Sequence, residues 1–503
     1  MTQKDLNTQR LVREAEEATT RLHTRKHFLK ECAFGFGGLA LGSFLQSCGT
    51  GSTKSTTTTL FDPAHPLAPK LPHFPGRAKS VIYLHMAGAP SQLELFDYKP
   101  ELQKLNGQDC PASLLDGKRF AFIRGVPKML GPQANFAQRG QSGAWISDFL
   151  PHLSTVADEI SFLKSVSTDQ FNHAPAQLLM HTGSARLGRP SMGSWATYGL
   201  GTENQNLPGY VVLTSGGKFP DAGKSVWGSG FLPSVYQGVQ CRSEGDPVLF
   251  INDPKGMDRN LRKASIDAIN KVNEESYKEY NDPEILSRIA QYEMAYKMQI
   301  SVPEVMNISD EPQYIHDMYG TKPGEARFAN NVLLARKLVE KGVRFVQLFD
   351  WGWDMHGTSA GEAVDEGLVN KCRQTDKAVT ALILDLKQRG LLDETLIVWG
   401  GEFGRTPMME NREGKENPFK GRDHHTEAFT IWMAGGGIRK GVSHGETDEI
   451  GYSSVSGGVT AYDIQATILN RLGFDHEQFT YDFQGRPFRL TDVHGKVIEE
   501  IIA

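Results

Sequence analysis

Arg344-Phe345-Val346-Gln347-Leu348 runs directly into Phe349-Asp350-Trp351-Gly352-Trp353-Asp354-Met355-His356-Gly357. The first segment is a β-branched and aromatic run of strand length, and the second delivers carboxylates and an imidazole just past its end. The pattern recurs. Residues 395–399 are followed by Gly400-Gly401-Glu402-Phe403-Gly404-Arg405-Thr406-Pro407, and residues 429–433 are preceded by Gly421-Arg422-Asp423-His424-His425-Thr426. Further runs lie at 80–84, 210–213 and 248–251. Continuous apolar runs of this length predict a buried parallel sheet. Charged, helix-periodic stretches at 258–299, 324–341, 364–389 and 461–472 lie between them, so the fold class is α/β.

In such sheets ligands bind outside the carboxyl ends of the strands, which is where these polar clusters fall. Asp354, His356, Glu402, Asp423 and His425 are the predicted metal ligands, with His424 as a further ligand or a leaving-group acid. Carboxylate and imidazole without thiolate suit Zn²⁺, Mn²⁺, Mg²⁺ or Ca²⁺, and leave the choice among them open. A divalent ion there would neutralise the oxygens of an anionic ester, and Arg405 and Arg422 could clamp the same oxygens bidentately. The competing reading has the acids capping helices and the histidines bonding within loops.

Composition narrows the alternatives. Of 503 residues, 39% are hydrophobic and 22% charged, as in a folded globular chain. The 54 Lys and Arg against 59 Asp and Glu give a formal charge of −5, which argues against a basic groove for nucleic acid. Cys32, Cys48, Cys110, Cys241 and Cys372 form no CxxC, which excludes a zinc ribbon and a redox dithiol. GxGxxG, HExxH and GxSxG motifs are missing, so dinucleotide binding, zincin proteolysis and ordinary serine-esterase chemistry lose support. The segment 217–225 has one residue too many for a phosphate loop, and Pro220 removes an amide, so it reads as a surface turn.

The first thirty residues carry seven Lys/Arg, and an uncharged stretch follows at 33–46. That is an export-signal pattern, too short and Gly-rich to span a bilayer. Thr24-Arg25-Lys26-His27-Phe28-Leu29-Lys30 resembles a twin-arginine signal with Lys26 in the second position. Leu45-Gln46-Ser47-Cys48 resembles a lipobox, and two readings stay open: a lipid-modified Cys48 tethering the chain to a membrane, or a Cys that ends the apolar segment. The predicted organisation is a signal at 1–48, a disordered Ser/Thr/Pro-rich tether at 49–78, and a domain at 79–503 with a helical insertion around 256–300. The expected location is the periplasm or cell surface.

Several motifs carry a family resemblance. Gly88-Ala89-Pro90-Ser91-Gln92 followed by Phe96-Asp97-Tyr98-Lys99-Pro100, then 401–407, 421–425 and Ala434-Gly435-Gly436-Gly437-Ile438, together resemble the exported, sulfatase-like "domain of unknown function 1501" within the alkaline phosphatase and sulfatase superfamily. The resemblance implies a three-layer sandwich, with a central, mostly parallel sheet and helices on both faces. It also implies an anionic ester or sulfated polysaccharide as substrate, bound with help from Ser91 and Gln92. His173-Ala174-Pro175 with Thr182-Gly183 is similar to the sulfatase nucleophile pattern, His173 standing where the nucleophile would be.

The chain departs from that pattern at three points. His173 replaces Cys or Ser, which removes formylglycine chemistry and leaves nucleophile, base, ligand or structural histidine. The Asp expected after the first strand is replaced by His85-Met86-Ala87-Gly88, the next carboxylates being Glu94 and Asp97, and a late Asp-His by Glu402-Phe403. Two functions follow: an exported metal-dependent hydrolase of sulfate or phosphate esters, with His173 and His424 catalytic, or a non-catalytic surface protein of the same fold that binds anionic glycans or an exported partner.

Overall fold

The computed structural model describes residues 65–242, 248, 256–412 and 414–503. The export signal, Cys48 and most of the tether lie outside the described residues, as does all but Val248 of the strand expected at 248–251. Among the described residues no helix is long and apolar enough to cross a membrane.

The central sheet is built from β1 (Ser80–Ala87), β2 (Ile160–Ser167), β3 (Tyr210–Ser215), β4 (Val239–Cys241), β5 (Phe345–Trp351) and β6 (Thr395–Gly400), then two short strands β7 (Gly404–Arg405) and β8 (His424–His425) that pair off the sheet, and β9 (Phe429–Ala434). The order β2-β9-β6-β1-β5-β3-β4, extended beyond β2 by the short parallel strands Ser443–His444 and Val459–Thr460, places β1 deep in the sheet, parallel to β5 and β6. The helices relevant here are α1 (Gln92–Leu95), α2 (His173–Thr182), α3 (Met192–Leu200), α4 (Arg259–Tyr280), α5 (Pro283–Met306), α6 (Phe328–Glu340), α7 (Gly367–Gln388) and α8 (Ala461–Arg471).

Side chains alternate across a strand, so one β1 face carries Ile82, Leu84 and Met86 and the other Val81 and Tyr83. The first set joins Leu333 of α6 and Leu382 of α7 in one core. The second joins Leu179 of α2, Trp195 of α3 and Ile468 of α8 in another. Two cores on two faces give the three layers, and the helical insertion is the α4/α5 pair.

Three features depart from expectation. β2 was not legible as an apolar run because Ser161, Lys164 and Ser165 interrupt it; the Ser161 and Ser165 hydroxyls are buried, donating to the Arg439 and Gly457 carbonyls. β9 runs antiparallel to both β2 and β6, although its apolar sequence suggested a parallel strand. A parallel return needs a crossover, usually helical, and the described residues of the 401–428 connection form no helix, so the chain turns back. Residues before β9 therefore reach the same edge as residues after β1, β5 and β6. Lastly, the packed body begins before Lys79. Leu67 is buried, and the amides of Lys70, Phe74 and Ala78 donate to the carbonyls of Leu200, Gly473 and Arg471 at 2.9–3.1 Å, fixing 65–78 where a disordered tether was expected.

Candidate metal centre

Four side chains converge at the carboxyl edge. Asp354 follows β5, His356 comes two residues later, His424 lies in β8 and His173 opens α2. Their ligand atoms all lie within 4.8 Å of one another. Asp354 is the hub: His356 Nε2 is 2.8 Å from its Oδ1, His424 Nε2 3.4 Å from the same oxygen, and His173 Nε2 3.4 Å from Oδ2. Arg405, fully buried, donates to the same Asp354 oxygen that His356 and His424 approach.

Each histidine is oriented through its far nitrogen. His173 Nδ1 meets Glu402 at 2.7 Å, His424 Nδ1 meets the Phe171 carbonyl at 2.6 Å, and His356 Nδ1 meets the buried Glu410. An Nδ1–H donated outward leaves a bare Nε2 facing inward, the arrangement that orients imidazole ligands in metal sites. Nε2 of His356 and of His424 stand 3.1 Å apart, and His173 Nε2 is buried without a hydrogen-bond partner. Acceptor nitrogens converging on one carboxylate need a cation or protons between them. The donor set fits a divalent ion that takes nitrogen and oxygen ligands.

The electrostatics agree. Burial alone would lower the His173 pKa, but the neighbouring Asp354 and Glu402 carboxylates outweigh this and raise it to about 9. Burial also leads for His424, where the Arg405 and His173 charges add to it and overcome Asp354, lowering its pKa to about 4. For Asp354, burial opposes ionisation, yet Arg405 and the three imidazoles hold it far below the usual carboxylate range. The two carboxylates beside His173 thus favour its charged form, while His424, buried near Arg405 and His173, is held as a neutral imidazole.

The other predicted residues take different places. Glu402 supports the cluster from behind: its Oε1 accepts from His173, from the Gly88 amide at 3.1 Å and from Gln177 at 3.1 Å. Asp423 accepts the amides of Phe122, Ile123 and His424 at 2.7–2.9 Å, which ties the loop, and with His356 and Glu410 it forms a second, fully buried grouping within the same 4.8 Å. His425 points away from His424, as neighbours in a strand must, and bonds to the Tyr452 carbonyl. Ser91 and Gln92, expected on substrate, are fully buried: Ser91 donates to Glu94, and the Gln92 amide brackets the Arg405 backbone with two 2.9 Å bonds. Arg422 is buried against Glu94 instead of facing a ligand. Glu94 and Asp97 do not replace the absent strand-end acid, since Asp97 pairs with Lys99 at 3.2 Å.

Gly88 explains why no acid follows β1. It has φ near +110°, and a Cβ there would lie 2.6 Å from the Asp354 amide. Gly421 is constrained in another way, since its Cβ would fall 1.9 Å from the His356 carbonyl carbon. Gly421→Ala is expected to push the His356 loop outward, costing on the order of 2–4 kcal/mol in chemical denaturation and weakening metal retention. Sequence reading missed Glu410, Gln177 and His85, whose Nε2 lies 3.3 Å from Glu402 Oε2. It also set aside Asp221 in a surface turn, yet burial raises that carboxyl, His173 opposes, and Glu402 and Asp354 push it further up, which places it in the field of the cluster.

Fold and site define an α/β protein with a histidine–aspartate cluster of metal-binding type at the carboxyl edge of its sheet. The chain belongs to the family described as "Protein of unknown function (DUF1501)", whose model matches residues 78–502. Among solved structures it is similar to the PsFucS1 sulfatase from Pseudoalteromonas sp. (13% identity, covering 80% of this chain and 69% of that one, TM-score 0.35). It is also similar to the lipoteichoic acid synthase LtaP from Listeria monocytogenes (10%, 86% and 78%, TM-score 0.33) and to alkaline phosphatase from the Antarctic bacterium TAB5 (10%, 78% and 97%, TM-score 0.30). No curated protein matches the chain.

Proposed function

We propose that the chain is a metal-dependent hydrolase of sulfate or phosphate esters. One observation carries the proposal: three imidazoles, each donating Nδ1–H outward, present Nε2 to a single carboxylate. His173, Asp354, His356 and His424 would hold the ion, so His173 and His424 act as ligands in this reading and not as nucleophile and acid. A divalent ion there supplies Lewis-acid polarisation of an ester oxygen and a more acidic bound water. The protein's own groups do the positioning. Arg405 fixes Asp354, Glu402 fixes the His173 tautomer, and Glu410 does the same for His356. The proposal includes export, from the basic and apolar leader, and a surface location, with Cys48 as a lipid tether.

Metal content of the purified full chain, after dialysis and zinc or manganese reconstitution, tests this. Stoichiometric metal is expected in the native chain, none in His424→Ala, and about 10–100-fold weaker retention in Glu402→Ala. Turnover of 4-nitrophenyl sulfate or phosphate should follow metal content. A folded chain that takes up no metal overturns the proposal in favour of the non-catalytic protein that binds anionic glycans.

A further inference from the structure

A cleft of about 920 Å³ opens beside the cluster, within the range of about 300–1,000 Å³ that accepts a small-molecule ligand. It is walled by the ends of β3 and β5, the loop holding Lys218 and Phe219, the start of α6 and the first half of α7. Lys218, Arg327, Lys371, Arg373 and Lys377 line it, against Asp350 and Glu325. Lys371 is committed to Asp350 at 2.6 Å and Arg327 to Glu325 at 2.5 Å. That leaves Lys218, Arg373 and Lys377, all exposed, without a carboxylate partner among the described residues.

Charge is not the only recognition chemistry present. Asn331 is 1% exposed and lines the cleft; its Nδ2 donates to the Thr214 carbonyl at 3.0 Å, while its Oδ1 has no partner. A buried bare amide oxygen asks for a donor such as a hydroxyl. Phe219 stands exposed on the wall as an apolar surface. One ring stands between the cleft and the metal cluster: the Lys218 ammonium sits 5.5 Å over the Trp351 ring, whose centroid is 5.9 Å from that of His173.

We infer that this cleft is a subsite for an anionic sugar unit, and that the chain acts on oligosaccharides bearing an anionic group on more than one unit. The substrate part of this inference rests on the hydrolase reading. Lys218, Arg373 and Lys377 take the anionic group, Asn331 Oδ1 a ring hydroxyl and Phe219 an apolar sugar face, while the neighbouring unit reaches the cluster past Trp351.

Calorimetric binding of a heparin tetrasaccharide to the zinc-loaded full chain, with inorganic tripolyphosphate as the comparison, tests this. The tetrasaccharide is expected to bind at least tenfold more tightly than tripolyphosphate. Arg373→Glu with Lys377→Glu, both on the exposed side of α7, should weaken it at least tenfold while zinc stoichiometry and 4-nitrophenyl ester turnover stay unchanged. Absent tetrasaccharide binding, equal binding by the charge-reversed variant, or equal binding of tripolyphosphate each overturns the subsite. Charge-sensitive tetrasaccharide binding by a chain that holds no metal keeps the subsite and overturns the hydrolase reading alone.

Discussion

Asp354→Asn is expected to abolish metal binding at stoichiometric concentrations, a loss of at least about 10²-fold in affinity, with hydrolytic activity falling in parallel. The expectation follows from the place of this carboxylate: one oxygen is shared by His356, His424 and Arg405, and the other faces His173. The amide is nearly the same size but supplies no charge to hold a cation. It also leaves the Arg405 guanidinium, 0% exposed, without its only carboxylate partner among the described residues. Removing one member of a fully buried pair costs about 3–5 kcal/mol; here Asp354 is a quarter exposed and backbone carbonyls still hold Arg405, so a loss near the lower end, about 3 kcal/mol, is expected. Metal titration and urea unfolding of one variant should thus both move. A variant that keeps its metal would show that Asp354 serves only to neutralise Arg405.

Arg422→Met is expected to destabilise the fold by about 3–5 kcal/mol, and Glu94→Leu by a similar amount, while the double variant falls well short of their sum. Both side chains are 0% exposed. Arg422 Nε lies 3.0 and 3.1 Å from the two Glu94 oxygens, and its remaining N–H groups bond the carbonyls of Leu130, Thr406 and Gly131 at 2.9–3.2 Å. The pair thereby joins α1, the 130–131 segment and the loop that carries His424. A double-mutant cycle by guanidinium unfolding separates the coupling from the cost of an orphaned charge. Additive single effects would mean that the two residues act independently.

The sheet was legible because five of its strands are apolar on both faces, and a strand buried on both faces leaves a continuous hydrophobic signature. Asp354, His356 and His424 were legible through the strand-end rule, helped by a turn the apolar pattern could not reveal: β9 runs antiparallel. His425 was misplaced for a reason present in the sequence itself, since two consecutive strand residues cannot face one site. Ser91, Gln92 and Arg422 looked like ligand-binding groups because polar residues near a sheet edge are read that way. Their true partners are buried hydrogen-bonding groups: Ser91 meets Glu94 three residues on, while Gln92 meets the Arg405 backbone and Arg422 meets Glu94 across more than 300 residues, which periodicity does not report. Glu410 and Gln177 escaped notice for the same reason: a residue that orients a ligand through one hydrogen bond carries no pattern of its own.

The strap at 65–78 lies along the amino edge of the sheet, against the far ends of α3 and α8, whereas the histidine–aspartate cluster opens at the carboxyl edge. β1 alone, eight residues at about 3.3 Å each, puts roughly 26 Å between the two. The strap and the histidine–aspartate cluster thus stand at opposite poles of the sheet.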